Sequence, residues 1–185
     1  MNPKQTDICP VSFDYAFLPV EMRMPLKFGS ESVSHVNCLR VSARVSDLQG
    51  SQVIGWGETP LSVTWAWPSA TLSYEARYDA MVAFCKFAAR SLLEVNEPGH
   101  PMEIGHAFLE DRLPSVLEAF NQNRSTEPMP YLAALIVLSA FDIAIHDAYG
   151  NLHQVDVYDT YTSEYMTHDL SYYFRESPEA DQFHG

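Results

Sequence analysis

Val53-Ile-Gly-Trp-Gly-Glu-Thr-Pro60 decides how this chain is read. On a strand, Gly55 and Gly57 share one face while Ile54, Trp56 and Glu58 share the other. A face stripped of side chains admits a helix or another backbone at close range. As a nucleotide motif the Gly-x-Gly is weak. Glu58 and Thr59 continue the strand, so no helix N-terminus follows to bind a pyrophosphate. Trp56, held between the glycines, is expected to pack into the fold.

Upstream of the glycines, Val41, Ala43 and Val45 alternate with Arg40, Ser42 and Arg44, the period of a strand with one buried face. Asp47-Leu-Gln-Gly-Ser51 reads as the turn into the glycine strand, with Gly50 able to take a positive φ. Val11 to Val20 is rich in β-formers, so the order is a three-stranded antiparallel meander. Glu21 to Ser32, rich in Pro, Gly and Ser, reads as a long loop of the kind that tends to carry function.

After Pro68 the period becomes helical. Met81, Phe84, Cys85, Ala88 and Leu92 define a first helix, with Ser69 or Thr71 as N-cap and Asn96-Glu-Pro-Gly99 as its stop. A second spans about Met102 to Asn121 and is expected to kink or restart at Pro114. The third starts at Pro130. It carries a stripe of Leu132, Leu135, Ile136, Ser139, Ile143 and His146, with Gly150 as its C-terminal cap. The expected class is α+β: a meander followed by a three-helix bundle.

Acidic residues outnumber basic ones by 24 to 11, a formal charge of −13, and no basic cluster appears. Nucleic acid and an anionic membrane surface are therefore poor partners, since both are held mainly by clustered Lys and Arg. Cys9, Cys38 and Cys85 have neither disulfide nor zinc spacing and read as buried thiols in a reducing cytoplasm. The N-terminus lacks a secretory pattern. The most apolar run, Tyr131 to Ala144, contains Asp142 and falls short of the roughly 20 residues of a bilayer span. A soluble cytoplasmic protein is expected.

No phosphate loop, G-x-S-x-G, H-E-x-x-H or calcium loop is present. Asp142 and His146 lie four apart on one helix face, with Asp147 beside them. One His–Asp pair is too few ligands for a specific metal site. His100 and His106, like His153, His168 and His184, lack ligand spacing and read as solvated or locally hydrogen-bonded.

The order of a meander ending in Gly55-Trp-Gly-Glu58 and a third helix reading Ser139-Ala-Phe-Asp-Ile-Ala-Ile-His-Asp-Ala-Tyr-Gly-Asn-Leu-His-Gln-Val-Asp-Val-Tyr158 resembles a known arrangement. It is that of the N-terminal capping domain of the enolase superfamily, in the mandelate racemase and muconate lactonizing enzyme branch. The likeness covers roughly residues 10 to 160. Three positions depart from the family pattern: Asn151 replaces a usual Lys, Gln154 a Gly and Asp156 a Pro.

The resemblance implies residues 1–160 as a cap and 161–185 as a tail, with Thr167 to Phe174 as a possible first strand of a barrel. It implies no catalytic residue and no metal ligand in this chain, because the family's belong to later barrel strands. Only 35 residues follow Gly150, whereas a complete barrel takes about 250. The chain alone is therefore expected to be inactive. Mg2+ is expected only in a complete barrel-containing protein, where it stabilises an enolate formed next to a carboxylate.

In the family two cap loops cover the barrel mouth and help choose the substrate. They map onto Glu21 to Ser32, with Arg23, Lys27 and Phe28 facing a small carboxylate substrate, and onto Pro60 to Ser69, with Thr64, Trp65 and Trp67. The alternative is a stand-alone binding or oligomerisation module, since a cap without its barrel exposes apolar surface. A homo-oligomer is expected either way.

Overall fold

The fold was obtained as a computed structural model and is described for residues 3–28, 31–95 and 97–174, with the side chains of Phe28 and Glu31 outside that description. Three antiparallel strands, β1 (Ile8–Phe28), β2 (Glu31–Asp47) and β3 (Gln52–Pro60), lie in the order β1-β2-β3. Leu39, Val41, Ala43 and Val45 of β2 are fully buried, as the alternation requires. The β2–β3 turn is tied by Asp47, whose Oδ1 accepts from Gln49 N at 2.9 Å and Ser51 N at 2.8 Å. Gly50 sits there at φ 89°, a conformation that glycine adopts without a Cβ penalty.

Of the segment read as a long loop, residues 21–28 and 31–32 are instead strand, and residues 29–30 lie outside the described residues. β1 and β2 run on past the end of β3 as a two-stranded ribbon, pairing from Val20↔Val36 to Phe28↔Glu31. A register shift between Glu21 and Leu26 absorbs Pro25, so the residue that signalled a loop sits in the irregularity of a continuous pair.

Helices follow: α1 (Val63–Ala66), α2 (Tyr74–Leu93), α3 (Pro101–Ala107), α4 (Leu113–Gln122), α5 (Tyr131–His153) and α6 (Leu170–Tyr173). In α2 the expected Met81, Phe84, Cys85, Ala88 and Leu92 are all buried. Its N-cap is Ser73, which accepts from Ala76 N, and not Ser69 or Thr71. Ser69 is engaged earlier, accepting from Thr71 N and Leu72 N. The stop holds: Gly99 exchanges two backbone hydrogen bonds of 3.1 Å with Ile8. Between α3 and α4 the helix widens into a π turn at Phe108–Arg112, then restarts with Pro114 in the first turn of α4.

The anticipated stripe of α5 is on the wrong face. Leu132 and Ile143 are exposed, while Ala133, Ala134, Val137, Ala140, Phe141, Ala144 and Ala148 are buried. The reason is the glycine strand. A Cβ built on Gly55 would stand 2.1 Å from Ala148 N, and one on Gly57 2.1 Å from Ala140 O. The helix backbone thus lies directly on β3, and only its small-residue side fits. The helix is 23 residues long and, by length and composition alone, long and apolar enough to cross a membrane. Its alanine face covers the sheet.

Gly150 does not cap α5. It lies buried within the helix, which continues to His153 and ends at Gln154 in the left-handed conformation, φ 56°. This is the position where the resembled family has glycine.

The segment offered as a first barrel strand, Thr167 to Phe174, contains helix α6. Asp169 caps it by accepting from Ser171 N at 3.0 Å. The turn before it docks on α3, where Glu103 Oε1 accepts from Thr167 N and His168 N. The described residues contain one open sheet and no barrel.

Candidate functional site

The glycine strand is tied to its helix by polar contacts as well as by close packing, among them Ser139 Oγ to Thr59 Oγ1 at 2.8 Å. Trp56 N donates to Asp147 Oδ2 at 2.8 Å, and Asn151 Nδ2 donates to the same oxygen at 3.1 Å. The two segments that carry the family likeness, 91 positions apart, therefore form a single joint. The Trp56 side chain does not pack into the fold as expected. It is 58% exposed, because the alternation that buries both glycines turns the residue between them outward. Arg40 and Glu58 pair on the same outer face, Nη2 to Oε2 at 2.6 Å.

The ribbon and α1 enclose a cavity of about 430 Å³. Met22 and Leu26 from β1, Val33, His35 and Val36 from β2, and Val63, Thr64, Trp65 and Tyr74 line it. The two expected cap segments are thus brought together. Thr64 and Trp65 line their shared cavity, and Trp65 remains 54% exposed. Arg23 and Lys27 are exposed on the ribbon but do not line the cavity. Phe28's side chain falls outside the described residues.

Trp67 departs from expectation. It is 1% exposed and belongs to the core. Its Nε1–H donates to Glu127 Oε1 at 2.8 Å, Arg124 stacks over its ring at 5.3 Å, and Arg77 donates to its carbonyl oxygen. Glu127 also accepts from Ser69 Oγ at 2.6 Å and Thr71 Oγ1 at 2.7 Å. These hydroxyl donors, with the indole, hold its carboxyl below the ordinary range. Glu127 thereby clamps the stretch after α1, with Trp67 inside and Trp65 outside. Nothing near Glu127 in the sequence signals this role, since its partners lie more than 50 positions away.

A second cavity, of about 480 Å³, lies between α3, the π turn and α5, beneath Tyr161 and Tyr173. Asp142 and His146 do meet on its wall. His146 Nδ1 is 2.9 Å from the Asp142 carbonyl oxygen and 3.5 Å from Asp142 Oδ2. About half of the Asp142 side-chain surface remains accessible. Even so, desolvation by its apolar neighbours raises its carboxyl above the usual range, an effect His146 opposes.

His100 beside it is fully buried and hydrogen-bonded, the second of the two states expected for it. Its Nδ1 accepts from Met102 N at 3.2 Å, capping α3, so Nε2 carries the proton 2.9 Å from Thr160 Oγ1. Burial, reinforced by His146 and His153, lowers its pKa to about 4.

Chemically, the ribbon cavity can hold the apolar part of a ligand. Among the described residues no group of three or more His, Cys, Asp or Glu is placed to hold a metal ion.

No family profile and no curated protein matches the chain. Partial likenesses exist among solved structures. One is the dipeptide epimerase from Enterococcus faecalis V583 complexed with Mg and L-Leu-L-Tyr, at 10% identity and TM-score 0.44, covering 79% of this chain and 32% of that one. Another is the dipeptide epimerase from Cytophaga hutchinsonii complexed with Mg and D-Ala-L-Val, at 19% and 0.36, covering 76% and 29%. A third is the L-Ala-D/L-Glu epimerase from Bacillus subtilis, at 15% and 0.39, covering 78% and 32%. The chain thus spans only about a third of the length of the structures it matches.

Proposed function

We propose that these residues are the substrate-capping part of an enolase-superfamily enzyme of the mandelate racemase and muconate lactonizing enzyme branch. The observation that carries the reading is the joint between Gly55-Trp-Gly-Glu58 and Asp147. Both sequence markers of the family serve one contact here, and that contact fixes β3, and hence α1, which leaves β3 two residues later. In this reading the ribbon and α1 close over a barrel mouth. Thr64 and Trp65 exclude water from a small carboxylate substrate, while Arg23 and Lys27 add positive charge at the rim. The bound magnesium of such an enzyme stabilises enolate charge and is held by residues outside the described set. The reaction belongs to the racemase, epimerase, cycloisomerase or acid-sugar dehydratase group.

The test is to express the open reading frame containing these residues and follow exchange of the α-proton of carboxylates in D2O with magnesium present. The panel comprises dipeptides, acid sugars and muconate. Expected is exchange on at least one of them, with a higher KM in Trp65→Ala. A frame without barrel-length sequence, or a folded full-length protein without exchange, overturns the reading.

A second reading, an oligomerising module, is favoured by the exposed apolar face of Trp56, Ile54 and Ile143. Sedimentation equilibrium separates the two. A dimer broken by Trp56→Asp supports the module, and a monomer at all concentrations removes it.

A further inference from the structure

The cavity between α3 and α5 has a composition that ordinary core packing does not call for. Leu92, Phe108, Leu138 and Ile145 form an apolar floor, yet a carboxylate, Asp142, stands on the wall. Its Oδ2 faces His146 at 3.5 Å, and about half of its side-chain surface remains accessible. Gly105 of α3 leaves room for Oδ1, since a Cβ there would lie 2.9 Å from it.

Aromatic rings surround the same space. Tyr161 and Tyr173 line it, and His106 packs edge-on against Tyr173 at 5.0 Å. Two polar atoms of the lining, His106 Nε2 and the Tyr173 hydroxyl, are buried without partners among the described residues. Among the described residues no Lys or Arg lines the cavity. A carboxylate with no Lys or Arg beside it among the described residues, sharing its cavity with aromatic rings, complements a positively charged head, and the floor complements an apolar tail.

We propose that this cavity binds a small organic ammonium compound bearing an apolar group. The ammonium sits between Asp142 and the rings of Tyr161 and Tyr173, with one N–H directed to His106 Nε2 as acceptor. The tail lies against Phe108, Leu138 and Ile145. The ribbon cavity is lined by different residues, so this site stands or falls independently of the capping role.

The test is calorimetric titration of the chain near neutral pH with phenethylammonium and, in parallel, with phenethyl alcohol, which has the same ring and no charge. Expected is one site per chain with at least about tenfold preference for the ammonium. Asp142→Asn should abolish the preference while leaving alcohol binding unchanged. Gly105→Ala, which places a methyl group against Asp142 Oδ1, should weaken ammonium binding in a chain that keeps its fold. NMR of the wild-type chain supplies a readout that needs no variant: the ring protons of His106 and His146 should shift on saturation. Equal affinity for both probes, a preference that survives Asp142→Asn, unmoved histidine signals, or no binding of either probe overturns the proposal.

Discussion

Gly55→Ala is expected to destabilise the fold by about 4 kcal/mol, although it adds one methyl group to a strand. The new Cβ would lie 2.1 Å from Ala148 N, 2.5 Å from Ala144 O and 2.6 Å from Ala148 Cα, all main-chain atoms of α5. Favourable contact needs about 3.5 to 4.0 Å, so helix and strand must separate by more than about 1 Å. Overpacking of this kind costs about 1–3 kcal/mol. The same separation breaks the bond from Trp56 N to the Asp147 carboxylate, a charge-assisted interaction of about 1.5–3 kcal/mol. For a domain of this size, each kcal/mol moves Tm by about 2–4 °C, so a fall of about 8–16 °C is expected.

Urea unfolding followed by circular dichroism gives the free energy, and a second variant tests the cause. Because the obstacle is main chain, adding Ala148→Gly should not restore stability. A loss below about 1 kcal/mol, or rescue by the double variant, refutes the close-contact account.

Trp67→Ala should cost about 3–5 kcal/mol in the same urea assay, whereas Trp56→Ala should cost under about 1 kcal/mol, since only the former ring is enclosed; similar losses would contradict the burial assignment. Gln154→Gly should raise stability by about 0.5–1 kcal/mol, because glycine avoids the left-handed penalty but loses more chain entropy; an unchanged or lower Tm counts against it. His100 supplies a pH signature. Its folded pKa of about 4 lies below the unfolded value of 6.5, so the unfolded chain binds the extra proton. Its contribution is complete above pH 6.5 and is lost as pH falls towards 4, up to about 3 kcal/mol. Urea midpoints across that window should fall in wild type and flatten in His100→Gln.

What the sequence disclosed follows from how local each signal was. The meander, the Asp47 turn and the buried face of α2 came through because alternation and helical spacing were clean over short windows. The glycines likewise announced a close neighbour, and α5 is that neighbour. The α5 stripe failed because the helix is apolar nearly all round, so size pointed to Leu132 and Ile143 while the available gap admitted alanines. The ribbon was hidden by Pro25, which a register shift accommodates.

For the candidate site, Thr64 and Trp65 were expected from the likeness to a known cap, and both line the ribbon cavity. Trp67 was not separable from Trp65, because its fate depends on Glu127 and Arg124, which approach from the far side of the fold. His100, without ligand spacing, gave no sign of which of its two expected states, solvated or locally hydrogen-bonded, it takes. Only the meeting of Met102, Thr160 and Tyr149 around it makes a buried neutral imidazole necessary.

Asp147 has one more consequence. β3 is an outer strand, and the unpaired N–H groups of such a strand invite pairing with foreign chains, the first step towards amyloid-like aggregation. By taking the Trp56 N–H, the Asp147 carboxylate removes a donor that an incoming strand would need, and its negative charge repels that strand's carbonyl oxygens. The residue that seats the helix therefore also acts as a gatekeeper, protecting the solubility of a sheet that is left open at its edge.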